Sequence, residues 1–310
     1  MKTLYFDVEH GSQTLGSKET IQKNFGLPML TPSTWDEFQS IIGKIYKTEK
    51  VKEKIDMGSG LSIDQITSKI APRGDFKADT VVVDTFSELS KKFMRTLTDK
   101  SGKMKLQEWG RLKNKLDTCL EFITRLPANV VLTCHSRTQT MDTGENRLLP
   151  YIDGSTKEDI SKWFDFVFYT KTVLDKDGKR KYVWVTGRTE MYDHAKDRTQ
   201  LLQDEMEQDF TVVLKAARKR GFKGSRILII GSPGSGKTYS LKTLVNADAP
   251  QPSETNELPA QGESEDIQET IRAAVDEAET NGEIPVAQQQ SYLRGETNNI
   301  EGGSNANTNS

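Results

Sequence analysis

Apolar and polar residues follow one another along this chain in two regimes. Short continuous apolar runs occur at Thr3–Asp7, Thr80–Asp84, Asn129–Cys134, Asp165–Thr172, Lys181–Thr186, Thr211–Leu214 and Arg226–Ile230. Runs of this length and type predict strands, several of them buried on both faces of a parallel sheet. Longer stretches with apolar residues every three or four positions lie at Thr34–Lys50, Phe86–Thr98, Leu106–Leu126, Lys157–Phe164 and Lys237–Val245. These predict helices. In the third, Leu106, Trp109, Leu112, Leu116, Leu120 and Ile123 form one stripe suited to packing on a sheet. Ser33 or Thr34 caps the first, since Glu37 follows at capping-box spacing. Asp177-Gly178 sits between two strand-like runs and marks a hairpin. Strand–helix alternation predicts an α/β fold with a central, mostly parallel sheet flanked by helices.

The pattern fades near residue 246. Residues 1–246 are read as one domain and 247–310 as an acidic, mostly disordered tail, too poor in aromatic and β-branched residues to offset its ordering entropy. A short helix is expected at about 266–279, where Ile267, Ile271 and Val275 share a face. Charge sharpens this division. Of 45 acidic and 43 basic residues, 13 and 2 fall in 248–310, leaving 32 and 41 in the body. A basic body with an acidic tail suits a protein that handles polyanions, and equally a solvated surface with a solubilising tail. No apolar run is long enough to span a bilayer and no signal-peptide core opens the chain, so the expected setting is the cytoplasm, without a membrane partner. Cys119 and Cys134 stand outside any zinc-type spacing and read as reduced thiols.

The strongest chemical signal is GSPGSGKT at 231–238. It has the Walker A spacing, an apolar strand before it and a helical pattern after it. Its glycines let backbone N–H groups curl around a β-phosphate. Lys237 brings a cation to the β/γ-phosphates, and the Thr238 hydroxyl ligates Mg²⁺. The candidate nucleotide-binding residues are Gly231, Ser232, Pro233, Gly234, Ser235, Gly236, Lys237, Thr238 and Tyr239, with ATP and Mg²⁺ as the expected cofactors. Such a site needs a carboxylate at the end of a buried strand to complete the metal shell. Val81-Val82-Val83-Asp84 supplies it, so Thr238 and Asp84 are the expected metal residues. Hydrolysis also needs a group that orients or deprotonates water. Glu9, at the end of LYFDVEH with the same strand parity as Asp7, is the candidate base; Glu88, just past Asp84, is its competitor. The strand at 130–134 ends in polar groups, of which Thr133 or His135 would sense the γ-phosphate. His10, His135 and His194 make no recognisable metal set.

Taken together, these residues resemble the RecA-like P-loop ATPase core, in particular the phage-type RecA-like ATPases of single-strand annealing and recombination. The matching segments are GSPGSGKT, LYFDVEHG (4–11), VVVDTFSEL (81–89), VVLTCHSR (130–137), PYIDGSTKEDISKWFDFVFYTKT (150–172) and GRTEMYDHAKDR (187–198). The resemblance implies Glu9 as the acid that polarises the attacking water. It implies DNA contact by 136–155, which contains Arg137 and Arg147. It also implies that Lys196 and Arg198 reach a neighbouring subunit's nucleotide; an exposed salt-bridge pattern accounts for that pair equally well. Single-stranded DNA and further copies of the chain, in a ring or filament, are thus expected partners. The acidic tail would compete with DNA or recruit a replication or recombination protein. Basic clusters at 171–181 and 215–223 suit a cationic track for a single strand.

The order of the segments departs from that family, because the P-loop comes last rather than first. A circular permutation, with 215–225 as the new joint, gives this order. So does exchange of the last strand and helix between subunits, and so does an inactive rearranged chain. The function expected is an ATPase acting on single-stranded DNA in phage recombination, repair or replication. The alternatives are a non-hydrolysing nucleotide-dependent binding module and a helicase or helicase-loader motor.

Overall fold

The computed structural model describes residues 2–246; the tail and the helix expected at 266–279 lie outside them. The chain runs β1 (Thr3–Asp7), α1 (Lys18–Phe25), β2 (Met29–Leu30), α2 (Trp35–Ile45), β3 (Tyr46–Asp56), β4 (Ser62–Pro72), β5 (Thr80–Asp84), α3 (Phe86–Leu97) and α4 (Leu106–Thr124). It continues through β6 (Asn129–Thr140), β7 (Asn146–Pro150), α5 (Thr156–Asp159), β8 (Phe166–Leu174), β9 (Arg180–Val185), β10 (Lys196–Asp197), β11 (Glu205–Glu207), α6 (Phe210–Lys219), β12 (Arg226–Gly231) and α7 (Lys237–Ser240). The central sheet has the order β11-β9-β8-β12-β6-β5-β1-β2, with β10 beside β8 and β7 beside β6. From β8 to β2 every neighbour along that path is parallel. The α/β sheet expected from the sequence is present.

Period-2 alternation sorts the strand residues into two layers. Leu4, Phe6, Val81, Val83, Val130, Leu132, Leu228 and Ile230 face the core built with α2, α3 and α4. Tyr5, Val82, Val131, Phe166, Phe168, Ile227 and Ile229 face the other, with α1 and α6. Both faces are therefore dry, which is why these strands read as unbroken apolar runs. Among the described residues no helix is long and apolar enough to cross a membrane.

Four sequence expectations need correction. The helix from Thr34 stops at Ile45; the rest of that stretch is β3, paired with β4 over Tyr46–Asp56 and Ser62–Pro72 in a long antiparallel hairpin. The base of the hairpin packs into the core through Tyr46 and Ile70, while Met57, Leu61, Ile63 and Ile66 toward its tip are exposed. Thr211–Leu214 is not a strand but the first turn of α6. The Asp209 carboxylate accepts the Thr211 N–H at 2.8 Å, and Phe210, Val213, Leu214 and Ala217 are buried at helical spacing. Residues 157–164 form only the end of α5 and a 3-10 turn, and α7 passes into a 3-10 turn at Leu241–Asn246. The capping at Thr34 holds: its hydroxyl accepts the Glu37 N–H at 3.1 Å, while Glu37 accepts the Ser33 N–H at 2.6 Å.

Strand β12 lies between β8 and β6 of its own chain, with Ile230 opposite Cys134 and Gly231 opposite His135. Its first residue fastens it. The Arg226 guanidinium donates to the carbonyls of Thr124, Leu126 and Ala128, the last two at 3.1 Å, where α4 ends and β6 begins. On the main chain, the Arg226 N–H donates to Asp165 at 3.1 Å. Arg226→Ala orphans buried acceptors, each worth about 1–3 kcal/mol. A lower midpoint in urea unfolding, at unchanged slope, is the expected measurement.

Candidate active site

The glycine-rich loop is built where β12 ends. Gly234 and Gly236 have φ of 75° and 90°, the left-handed region that glycine enters without a steric penalty. A side chain at Gly231 would collide with the hydroxyls of Thr170 and Ser235, which bond each other. Lys237 is only 5% exposed. Its ammonium donates to the carbonyls of Gly231 and Ser232, both at 2.9 Å, and lies 3.4 Å from His135 Nδ1. Burial holds its pKa below the usual lysine range, with the charges of Asp84 and Glu9 opposing that shift.

Across β6, the acids face this loop. Asp84 Oδ2 accepts the Thr238 hydroxyl at 2.8 Å and the Tyr5 hydroxyl at 3.0 Å, and Oδ1 accepts the Thr133 hydroxyl. Burial pushes the Asp84 carboxyl above the ordinary carboxylate range, partly offset by these hydroxyl donors. A buried carboxylate that touches hydroxyls and no cation at hydrogen-bond distance suits a metal-shell position beside Thr238. No group of three or more His, Cys, Asp or Glu side chains among the described residues could hold a metal ion.

Glu9 sits two residues beyond the end of β1. Both of its carboxylate oxygens lie near His135 Nε2, at 3.0 and 2.9 Å. This hydrogen bond, then the neighbouring positive charge, holds the Glu9 carboxyl below its ordinary range, against desolvation. One tautomer serves both contacts of the imidazole: Nε2–H donates to Glu9, and Nδ1 accepts from Lys237. Asp7 is not a second reacting acid. Its oxygens accept the N–H groups of Gly11 and Ser12 at 3.0 and 3.2 Å and fix the turn that carries Glu9. His10, inside that turn, has φ of 61°.

The structure thus brings Glu9, Asp84, His135, Lys237 and Thr238 together at one edge of the sheet, although the chain separates them by as many as 229 positions (Glu9 to Thr238). Glu88 is turned to Lys91 at 2.6 Å. Thr133 and His135, alternatives in the sequence, do different things: Thr133 supports Asp84 and His135 holds Glu9. Lys196 and Arg198 are not brought to the site. They lie by the start of β8, the opposite end of the sheet. Lys196 donates to the Ser161 carbonyl at 2.6 Å and is pushed by burial down to about 8; Arg198 pairs with Asp165 at 3.0 Å. Any contact of theirs with a nucleotide belongs to a neighbouring subunit. Cys119 and Cys134 are buried, and burial pushes both thiols up to about 12, so neither is a nucleophile at neutral pH. Sequence reasoning missed Tyr5; its strand parity, two residues before Asp7, was the available signal.

A glycine-rich loop on a central strand, a buried lysine and a strand-end aspartate bonded to the loop's threonine define a nucleotide-binding site of the P-loop ATPase class. Residues 1–199 match the family model of the AAA domain. That span is more than half of the chain, and the chain belongs to the AAA domain family. It carries Glu9, Asp84 and His135, and ends before the loop at 231–238. Domains of this kind bind nucleotide with Mg²⁺. No curated protein and no solved structure matches the chain.

Proposed function

We propose that this ATPase hydrolyses ATP with Glu9 as the base and couples turnover to single-stranded DNA, in phage recombination, repair or replication. The observation that carries the reading is the chain of contacts Lys237–His135–Glu9, in which the residue touching the base also opens a surface hairpin. The loop N–H groups and Lys237 would bind the phosphates, and Thr238 and Asp84 would hold the ion, which supplies positive charge beside the β- and γ-oxygens. Glu9 takes a proton from the attacking water. His135 keeps that carboxylate aimed and ionised, and a phosphate drawing Lys237 away changes what the imidazole touches.

The DNA half of the reading rests on geometry around β12. Strand β6 continues past His135 to Thr140 and turns back as β7; β8 continues past Thr170 to Leu174 and turns back as β9. Both hairpins overhang the phosphate loop, one on either side. They carry Arg137 and Arg147, and the exposed Lys176, Lys179 and Arg180 at the second tip. Arg147 is tied to Asp193 at 3.3 Å, so the second hairpin offers the freer charge. The late position of a strand that completes its own chain's sheet supports a permuted order over exchange between subunits.

ATP turnover by the full chain, with and without single-stranded DNA, tests this. Stimulated turnover is the expected result. Binding without turnover makes the protein a nucleotide-dependent binding module, and ATP-driven duplex unwinding makes it a motor. His135→Ala should lower turnover about ten- to a hundredfold, as for loss of one charge-assisted hydrogen bond, and flatten its response to DNA.

A further inference from the structure

The phosphate loop and the acids leave one feature beside them unused. Tyr239, the residue after Thr238, is 47% exposed. Its ring centroid lies 5.5 Å from that of Tyr182 in β9, with the planes tilted by 47°. Lys242 Nζ lies over the Tyr239 ring at 4.7 Å. Tyr182 is itself braced, since a Cβ at Gly236 would come within 2.6 Å of its ring. An aromatic pair therefore rests directly on the loop, with one face toward solvent under a displaceable lysine.

The direction of a bound nucleotide follows from the acids. Glu9 and Asp84 stand on the β6–β5–β1 side of β12, so the γ-phosphate end must point that way. The sugar and base then leave toward the other side, where β8 and β9 carry Tyr182. Tyr239 is the first side chain past the phosphate-binding threonine on that path. Every nucleobase has a π-face, and aromatic rings hold bases by stacking without regard to their edges. Gly236 packs against Tyr182, and Lys242 covers the outer face of Tyr239.

Resting on the nucleotide reading above, we propose that Tyr239, packed against Tyr182, is the stacking platform for the base of a bound nucleoside triphosphate. Calorimetric titration of the full chain with MgATP, MgGTP and magnesium tripolyphosphate tests it, using the wild type, Tyr239→Phe and Tyr239→Ala. Tyr239→Ala should weaken ATP and GTP about tenfold or more and leave tripolyphosphate unchanged. Tyr239→Phe should stay within about twofold of the wild type. Unchanged ATP binding in Tyr239→Ala overturns the proposal, as does an equal loss of tripolyphosphate, which would mean that the ring only shapes the loop. If the wild type binds neither nucleotide nor tripolyphosphate, the nucleotide reading falls and takes this one with it.

Discussion

Glu9→Gln yields a protein that retains ATP and barely turns it over. Glutamine keeps the length of the side chain and can still meet the His135 ring, so the turn held by Asp7 is undisturbed. What it lacks is a basic oxygen. Loss of a positioned general base lowers turnover by about 10²–10⁴. The loop, Lys237 and Thr238 keep their partners, so ATP affinity should stay within a few-fold of the wild type. Single-turnover hydrolysis alongside equilibrium ATP binding separates the two quantities. Full activity in Glu9→Gln would show that another group handles the water. Glu88 is a poor substitute while it pairs with Lys91.

The second large effect is expected at Lys237. Lys237→Ala removes the buried ammonium that spans the loop carbonyls of Gly231 and Ser232 and faces His135. Two consequences follow. The triphosphate loses its main cation, and the loop carbonyls lose their donor in the nucleotide-free protein. Binding of MgATP should fall by at least about a hundredfold, as for a charge-assisted contact in a dry site, and turnover should be undetectable. Isothermal titration and a phosphate-release assay measure the pair. Retained affinity in Lys237→Ala would mean that the loop does not grip phosphate at all. The variant differs from Glu9→Gln in kind, because one abolishes capture and the other abolishes only the chemistry that follows.

The site was legible in the sequence to the extent that its chemistry is local. Walker A spacing depends on backbone curvature, and the glycines that allow it, Gly231, Gly234 and Gly236, fall within one short segment. Asp84 and Glu9 announce themselves as acids at the ends of apolar runs. Their meeting with Lys237 is tertiary. No local pattern says that His135 reaches Glu9 rather than solvent, or that Thr133 reaches Asp84. The β3–β4 hairpin escaped for a different reason. Its strands are exposed, and KTEKVKEK is rich in lysine and glutamate, which also favour helices. Period-2 alternation is weak where neither face is buried. In Thr211–Leu214, adjacent valines suggested a strand, and only the Asp209 cap with the Phe210–Val213–Ala217 spacing reveals the helix. Lys196 and Arg198, expected at a neighbouring subunit's nucleotide, lie at the far end of their own sheet, which a contact made across subunits allows.

The placement of β12 bears on how the molecule comes to exist. Its residues emerge from the ribosome after every other strand of the sheet, yet they fill the slot between β6 and β8. Until then β6 and β8 each present one apolar strand edge without a partner, a template for sticking to other chains. The final strand closes that gap and delivers the phosphate grip in the same event. Enzymatic competence therefore arrives only with the completed sheet, and a chain stopped short of residue 226 would be both inert and prone to aggregate.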